Sequence, residues 1–261
     1  MGAAINLKLD NFDKYKDPLL YDVENDHFED DLALIEEYAA RTRGPIIDLA
    51  CGTGRTSLHL ARLGHDVIGI DIHQGMLEHA KNKAQQANLK IDFKLQDATT
   101  LSLSLKGSFL FLVGNAFQHF LTNEDQDKLL EGIYTHIEED GIFLFGTRFL
   151  EKEDIIGTAP YNRTFRDYLG REITEWHIET YDPLEQILTC NSRVQMIDGV
   201  QVNEEEETIR LRYVFPKEME RLLTSKGFSI IHAYADWKKT PLHARSRQMI
   251  YVCKKIKNHS K

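Results

Sequence analysis

Short apolar runs alternate with amphipathic stretches along the chain up to residue 149. Buried strands are predicted at 45–50, 66–71, 91–96, 109–114 and 141–149. Amphipathic helices are predicted between them at 58–63, at 74–86 and at about 122–137, the last with Thr122 as its N-cap. Strands that alternate with helices are typical of a parallel sheet with helices on both faces. This part of the chain therefore predicts a doubly wound α/β fold.

The pattern changes after residue 149. Strand-like segments at 172–181, 186–196 and 200–214 are separated by the turn signals Asp182-Pro183 and Asp198-Gly199. They predict successive antiparallel hairpins, so residues 150–214 are interpreted as an antiparallel β cap inserted after the fifth strand. A helix at 217–225 and strands at 229–234 and 248–256 follow, and the short connection between these strands requires antiparallel pairing.

Composition and charge narrow the class of protein. Of the 261 residues, 42% are hydrophobic and 28% are charged, which is ordinary for a globular chain. A formal net charge of -9 would repel a phosphate backbone, so no nucleic-acid partner is expected. No apolar stretch reaches membrane-spanning length, and residues 1–10 do not have the pattern of an export leader. We therefore expect a cytoplasmic protein with no membrane partner. The three cysteines lie far apart without metal-ligand spacing, so no metal is expected.

A glycine-rich turn joins the first strand to its helix. Gly52 and Gly54 let the backbone turn sharply beside a helix N-terminus, where a nucleotide-like ligand can approach. Asp71 ends the next strand, where its carboxylate can accept both hydroxyls of a ribose. An NAD site would have a third glycine where Ser57 stands. An ordinary tight turn, or a helix-capping role for Asp71, is the alternative interpretation.

Three motifs together resemble those of the class I S-adenosylmethionine (SAM) methyltransferases. They are residues 48–54, Asp71 at the second strand end, and Gln96-Asp97-Ala98 after the third strand. The resemblance implies a Rossmann-like methyltransferase fold with a seven-stranded, mostly parallel sheet, SAM as cofactor and S-adenosylhomocysteine as product. It further implies that 1–149 form an N-terminal lid and the SAM-binding core, that 150–214 form the substrate cap, and that 215–261 complete the core.

The resemblance also assigns residues to the cofactor. The glycines would line the methionine part of SAM, Asp71 would contact the ribose, and the residues after the second and third strands would contact the adenine. Apart from the resemblance, the charge of Asp48 would let it contact the methionine ammonium directly or through water. Ala50 stands where many members have glycine. The full predicted cofactor set is Tyr21, Asp48, Ala50, Gly52, Gly54, Asp71, Ile72, Met76, Asp97, Ala98, Gly114 and Asn115. SAM is a cation without phosphate, so an acidic strand end suits it.

The methyl acceptor is expected beside the end of the fourth strand. Asn115-Ala116-Phe117-Gln118-His119 resembles a turn of small-molecule methyltransferases, including those that methylate amino groups of sugars. His119 is the predicted catalytic residue, because an imidazole can take a proton from an acceptor or orient it. The alternative is a histidine that only forms hydrogen bonds within the turn. The predicted substrate contacts are Tyr15 in the lid, Arg148 at the fifth strand end, Trp176 in the cap, and Asp236 and Trp237 in a closing hairpin.

The sequence therefore predicts a SAM-dependent methyltransferase that acts by in-line displacement on a nitrogen or oxygen of a small molecule. Two alternatives remain at this point. The acceptor could be a peptide or protein terminus, or the chain could bind SAM without turnover. The expected assembly is a monomer or a homodimer.

Overall fold

A computed structural model describes residues 11–150 and 159–256. Residues 1–10, on which the absence of an export leader was argued, lie outside the described residues. So do 151–158, at the start of the predicted cap, and 257–261. No helix within the described ranges is long and apolar enough to cross a bilayer.

Apart from the first two helices and the sixth strand, which were not predicted, the described helices and strands follow the predicted order. The helices are α1 (Pro18–Asn25), α2 (Leu32–Ala39), α3 (Arg55–Arg62), α4 (Gln74–Gln86), α5 (Asn123–His136) and α6 (Pro216–Ser225). The strands are β1 (Ile46–Leu49), β2 (Val67–Asp71), β3 (Asp92–Leu95), β4 (Gly107–Leu112), β5 (Ile137–Arg148), β6 (Tyr161–Arg166), β7 (Glu172–Asp182), β8 (Ile187–Asp198), β9 (Gln201–Arg212), β10 (Phe228–Tyr234) and β11 (Gln248–Lys255).

The main sheet has seven strands in the order β10-β11-β5-β4-β1-β2-β3. The pairs among β3, β2, β1, β4 and β5 are all parallel. Strand β11 pairs antiparallel with β5 and with β10, as the short β10–β11 connection predicted. The doubly wound, mostly parallel fold is thus confirmed. Its parallel strands bring the carboxyl ends of β1, β2, β3 and β4 to one edge, where open α/β sheets bind ligands.

A second sheet of four antiparallel strands, β6-β7-β8-β9, follows β5 in the chain and precedes α6. This confirms that an antiparallel sheet is added to the doubly wound fold. The limits predicted for the core, the cap and the C-terminal segment, 1–149, 150–214 and 215–261, stay predictions. Strand β6 was not predicted, because its sequence Tyr-Asn-Arg-Thr-Phe-Arg has no apolar alternation and the strand is largely exposed.

Both faces of the main sheet are covered. Strand β4 alternates, so that Phe109 and Phe111 pack with α2 on one face while Leu110 and Leu112 pack with α5 on the other. Helix α5 begins at Thr122, whose Oγ1 accepts the Asp125 amide at 3.1 Å, as the predicted N-cap requires. The rigid sheet edge that results holds the candidate site.

Candidate functional site

The turn between β1 and α3 forms the centre of the site. Ala50, Gly52 and Gly54 have φ angles of 54°, 55° and 81°, all in the left-handed region. Glycine adopts this region freely, whereas an alanine there costs on the order of 1 kcal/mol. The strain at Ala50 explains why glycine would suit that position. The turn itself brings the backbone sharply from the sheet edge into α3.

Asp71 ties this turn to the next one. Its Oδ2 accepts the Gly52 amide at 2.8 Å and its Oδ1 accepts the His73 amide at 2.8 Å. The N-cap of α4 is His73, whose Nδ1 accepts the Met76 amide, so the capping role considered for Asp71 is wrong. Burial raises the pKa of Asp71, and the two amides oppose that rise. A carboxylate has about four acceptor positions, so capacity remains for two hydroxyls.

A cleft of about 410 Å³ opens between the glycine turn, the end of β4 and α1. Asp48 lies at its base and is 1% exposed. Its Oδ2 accepts a hydrogen bond from Ser57 Oγ at 2.6 Å, whereas its buried Oδ1 has no hydrogen-bond partner. Burial raises the pKa of this carboxyl to about 7. A buried acceptor without a partner beside an open cleft fits a cationic donor such as an ammonium.

Arg55 is the basic side chain among the described residues that line the cleft. Its guanidinium forms two bonds with buried Asp31, at 2.9 and 2.5 Å, and one with the Phe28 carbonyl at 2.7 Å. The positive charge of Arg55 is therefore neutralised by Asp31 at the start of α2, and Arg55 does not form a phosphate-binding site. Sequence reasoning missed Arg55, although an arginine at the first position of α3 was a usable signal.

The residues predicted to meet an adenine lie at neighbouring strand ends. Ile72 directly follows β2, and Met76 packs over Gly52, with its Cε 3.4 Å from the position a Cβ would occupy there. Asp97 follows β3 and accepts the amide and hydroxyl of Thr99, both at 2.8 Å. Ala98 begins the short 3₁₀ turn after it. The structure thus brings this group together along the edge that carries Asp71.

Gly114 and Asn115 turn the chain at the end of β4. Their φ angles of 65° and 59° are both left-handed, and they lead into a 3₁₀ turn at Ala116–His119. Gly114 lines the cleft opposite the glycine turn. A Cβ at Gly114 would meet no atom within 4 Å, so backbone conformation, not space, favours glycine there.

Comparison with known proteins agrees with this geometry. A family model described as a methyltransferase domain matches residues 46–141. A carboxy-S-adenosyl-L-methionine synthase from Nautilia profundicola is 36% identical over 172 residues, which cover 63% of this chain and 72% of that protein. The chain belongs to the class I SAM-dependent methyltransferases. Its cofactor is SAM, and the orphaned Asp48 oxygen and the acceptor capacity of Asp71 fit the ammonium and ribose of that cofactor.

Two solved structures show the same fold as this methyltransferase. A SAM-dependent methyltransferase from Clostridium acetobutylicum superposes with a TM-score of 0.79 at 17% identity, covering 90% of this chain and 96% of that one. An amino pentose methyltransferase from Micromonospora echinaspora, solved with SAM bound, has a TM-score of 0.70 at 14% identity, with 90% and 95% coverage.

Helix α1 closes one side of the methyltransferase cleft. Asp22 on this helix accepts hydrogen bonds from Thr53 Oγ1 at 2.5 Å and Lys83 Nζ at 2.8 Å, and its Oδ2 lies 2.9 Å from His79 Nε2. Tyr21 lines the cleft, as predicted for a lid residue. Asp22 thus anchors the lid to the glycine turn and to α4. In the sequence it could not be distinguished from the other acidic residues of this segment.

A polar aromatic cluster extends from Tyr21, which lines the cleft, to Tyr15 and His119. The Tyr21 and Tyr15 ring centroids are 5.7 Å apart, and those of Tyr15 and His119 are also 5.7 Å apart. His119 Nε2 lies 3.0 Å from Tyr15 Oη, and His119 Nδ1 lies 2.9 Å from Asn11 Nδ2. Both imidazole nitrogens are therefore engaged. Burial lowers the pKa of His119 to about 4 and raises the pKa of Tyr21 to about 12.

Arg148 lies at the carboxyl end of β5, next to the cap and outside the SAM cleft. Its amide donates to Gln118 Oε1 at 3.2 Å, and its guanidinium lies 5.9 Å from the centroid of the Tyr213 ring. Gln118 is fully buried directly before His119. The structure thus connects Arg148 to the acceptor-side turn through its main chain.

Three predicted substrate residues are not brought to this cluster. Trp176 lies on the opposite face of β7 from its neighbours Glu175 and His177, which are 2% and 3% exposed, because strand side chains alternate. Trp237 packs in the core, where a Cβ on Gly146 would come within 2.7 Å of its ring. Asp236 Oδ1 accepts the main-chain amides of Lys238 and Thr240 and stabilises a turn. Trp237 and Asp236 thus have structural contacts, while substrate contact by any of the three residues stays a prediction.

The described residues contain no group of three histidine, cysteine, aspartate or glutamate side chains placed to hold a metal ion.

Proposed function

We propose that this methyltransferase transfers a methyl group from SAM to the neutral amine nitrogen of a small-molecule acceptor. The observation that carries the proposal is the cluster of Tyr15, Tyr21 and His119 beside the cleft. SAM supplies a methyl group on a sulfonium, and the reaction requires donor, methyl and acceptor to lie in line. Tyr21 lines the cleft and packs on Tyr15, so the cluster lies where an acceptor could approach the methyl group.

The protonation states of the cluster favour an amine over a hydroxyl. At neutral pH His119 is uncharged and both of its nitrogens are engaged. Burial also raises the pKa of Tyr15, so its phenol stays protonated. A hydroxyl acceptor must lose a proton to a base during attack, whereas a neutral amine attacks with its own lone pair. A cluster of neutral hydrogen-bonding groups suits the amine, and His119 then acts through Tyr15, whose hydroxyl it contacts.

The cofactor roles follow the donor and acceptor capacity of each side chain. Asp48 would accept from the methionine ammonium through its unpartnered Oδ1, and Asp71 would accept from the ribose hydroxyls. Met76 and Ile72 would flank the adenine, and Asp97 with Ala98 would meet its amino edge. Gly114 and Asn115 would lie beside the methionine chain, opposite the glycine turn.

The amino pentose methyltransferase among the structural neighbours supports a small amine as acceptor, since its fold covers 90% of this chain. The α1 lid also supports a small acceptor, because Asp22 anchors it to the glycine turn and to α4, and its Tyr21 lines the cleft. A peptide or protein terminus would need a longer open groove.

The experiment is incubation of the full chain with SAM and two matched acceptor sets, one of small amines including amino sugars and one of the corresponding hydroxyl compounds. Mass spectrometry should show S-adenosylhomocysteine together with a methylated amine, at a rate that rises with pH as the amine loses its proton. Methylation of the hydroxyl set alone would overturn the amine assignment. His119→Ala should keep near-normal SAM binding and lose turnover, whereas full turnover would exclude His119 from the acceptor side.

A second candidate function comes from the relative that is 36% identical. That protein is named a carboxy-S-adenosyl-L-methionine synthase, so the same cleft could hold SAM together with a carboxylic-acid co-substrate. In that reaction a methyl C–H bond of SAM is replaced by a bond to the carboxyl carbon, and the co-substrate loses its carboxyl group and takes up the proton, so the assay must include such a donor. The mass spectrum of the recovered cofactor distinguishes the two. Methyl transfer yields S-adenosylhomocysteine, whereas the second function yields a cofactor heavier than SAM.

A further inference from the structure

Asn11 joins three separate parts of the fold. It begins the strap, which we define as residues 11–15 preceding α1. Its Oδ1 accepts the amide of Arg210 at 2.6 Å, and its Nδ2 donates to the carbonyl of the same residue at 2.8 Å. Arg210 lies on β9, the edge strand of the second sheet. The same Nδ2 lies 2.9 Å from Nδ1 of His119, in the 3₁₀ turn that follows β4.

The two bonds to Arg210 determine which end of the amide faces the imidazole. Rotation of the Asn11 amide by half a turn would place Oδ1 against the Arg210 carbonyl and Nδ2 against the Arg210 N–H. Both contacts would be repulsive. The group that faces His119 Nδ1 is therefore an N–H donor. His119 Nδ1 must accept this bond and carries no proton.

A neutral imidazole has one ring proton, so the proton of His119 is on Nε2. Nε2–H then donates to Tyr15 Oη, 3.0 Å away. The oxygen of Tyr15 accepts this bond, and its own O–H is left to donate in another direction. If Nδ1 carried the proton instead, the direction of the bond between His119 and Tyr15 would reverse.

We propose that Asn11 is a positioning residue that selects the Nε2–H tautomer of His119 and thereby leaves the Tyr15 hydroxyl as a hydrogen-bond donor. The second sheet takes part through the main chain of Arg210, so the tautomer depends on the strap being docked there. The importance of this tautomer for turnover rests on the proposed function. The tautomer itself is a property of the free protein and can be measured without any acceptor.

The test is ¹⁵N NMR of the histidine rings in the full chain, with the His119 signals identified by their loss in His119→Gln. In the wild type near neutral pH, Nδ1 should give an unprotonated, pyridine-type signal and Nε2 a protonated, pyrrole-type signal. Asn11→Asp replaces the donor with an acceptor, so Nδ1 should become protonated. Asn11→Ala removes the donor, so the two tautomers should become mixed.

Asp13→Ala is the matched control. Asp13 also joins the strap to β9, since its Oδ2 accepts the Thr208 amide at 3.2 Å, but it has no bond to His119. This variant should keep the wild-type ring signals. A proton on Nδ1 in the wild type would overturn the proposal without any variant. Unchanged signals in Asn11→Asp, or the same change in Asp13→Ala, would also overturn it. Absence of methylation would count against the proposed function and leave the ring result unaffected.

Discussion

Asp48 provides a prediction in which stability and cofactor affinity change in opposite directions. In the free protein its buried carboxyl has one oxygen bonded to Ser57 and one without a partner, and burial raises its pKa to about 7. A rise from an ordinary pKa near 4 to about 7 corresponds to about 4 kcal/mol of lost folding free energy when the carboxyl is ionised in both states. Asn in place of Asp48 carries no charge and removes this cost.

The direction in which the stability difference changes with pH follows from proton binding to the Asp48 carboxyl. Below about pH 4 the carboxyl is protonated in both the folded and the unfolded chain, so its raised pKa has no effect on stability. Between about pH 4 and 7 the folded chain holds a proton that the unfolded chain has lost, so stability falls by up to about 1.4 kcal/mol per pH unit as pH rises. Asp48→Asn should therefore show a stabilisation over wild type that grows across this range and levels off above it.

Part of this stabilisation should be lost because the asparagine amide group must fit the site of the carboxyl group. We expect Asp48→Asn to be more stable than wild type by about 2 kcal/mol above pH 7, which corresponds to a Tm increase of roughly 4–8 °C. SAM affinity should fall by about 10- to 150-fold, because a charge-assisted hydrogen bond worth about 1.5–3 kcal/mol is removed. Differential scanning calorimetry measures the first effect and isothermal titration calorimetry the second.

The matched control is Ser57→Ala, which keeps the charge and removes the hydroxyl donor to Asp48. It should lower the Tm, because a buried carboxylate oxygen loses its partner, and it should change SAM affinity only a few-fold. A lower Tm together with wild-type SAM affinity in Asp48→Asn would refute the reasoning that this carboxylate is destabilising in the free protein and binds the cationic ammonium of SAM. SAM affinity of the wild type should also weaken as pH falls below about 7, because the pKa of Asp48 lies there.

Three further predictions test the cofactor site, the lid and the positions of two residues predicted to contact substrate. Asp71→Ala should weaken SAM binding by about 100-fold, because the two bonds to turn amides and the proposed bonds to the ribose would be lost. Unchanged affinity in titration calorimetry would remove the ribose assignment. Asp22→Ala removes the lid's bonds to Thr53 and α4, so it should speed proteolysis of α1 and reduce SAM affinity about tenfold. Cleavage at the wild-type rate would show that other contacts hold the lid. Trp237→Ala should lower the free energy of unfolding by about 3–5 kcal/mol, because Trp237 is buried. Trp176→Ala should lower it by under about 1 kcal/mol and keep normal turnover, because Trp176 is exposed. Denaturant titrations that rank the two variants in the reverse order would contradict the assigned positions.

The parallel core could be predicted because its signals are local. Helix α4 was predicted at the same limits that the structure shows, Gln74–Gln86, since its apolar positions recur at helical spacing. Thr122 was identified as a cap because capping involves residues only three positions apart. The antiparallel pairing of β10 with β11 followed from the length of their connection.

Helices α1 and α2 were missed because tertiary contacts stabilise them. Helix α1 has a local start signal, with Asp17 accepting the Leu19 and Leu20 amides, but its position depends on the bonds of Asp22 to α4. Helix α2 is held by the pairing of Asp31 with Arg55, which lies 24 residues away. Periodicity over eight residues is a weak signal without such contacts.

The sequence by itself determined the order of strands and helices in the parallel core after α2, the glycine turn, and the placement of Asp48 and Asp71 at adjacent strand ends, since each depends on neighbours in the chain. Only the tertiary structure decided which side chains meet. Asn11 reaches His119 across 108 residues and Arg210 across 199. Alternation along β7 required that some side chains point outward, but only the docking of that sheet decided that Trp176 is one of them. Such contacts depend on how faces pack, and packing is a property of the whole fold.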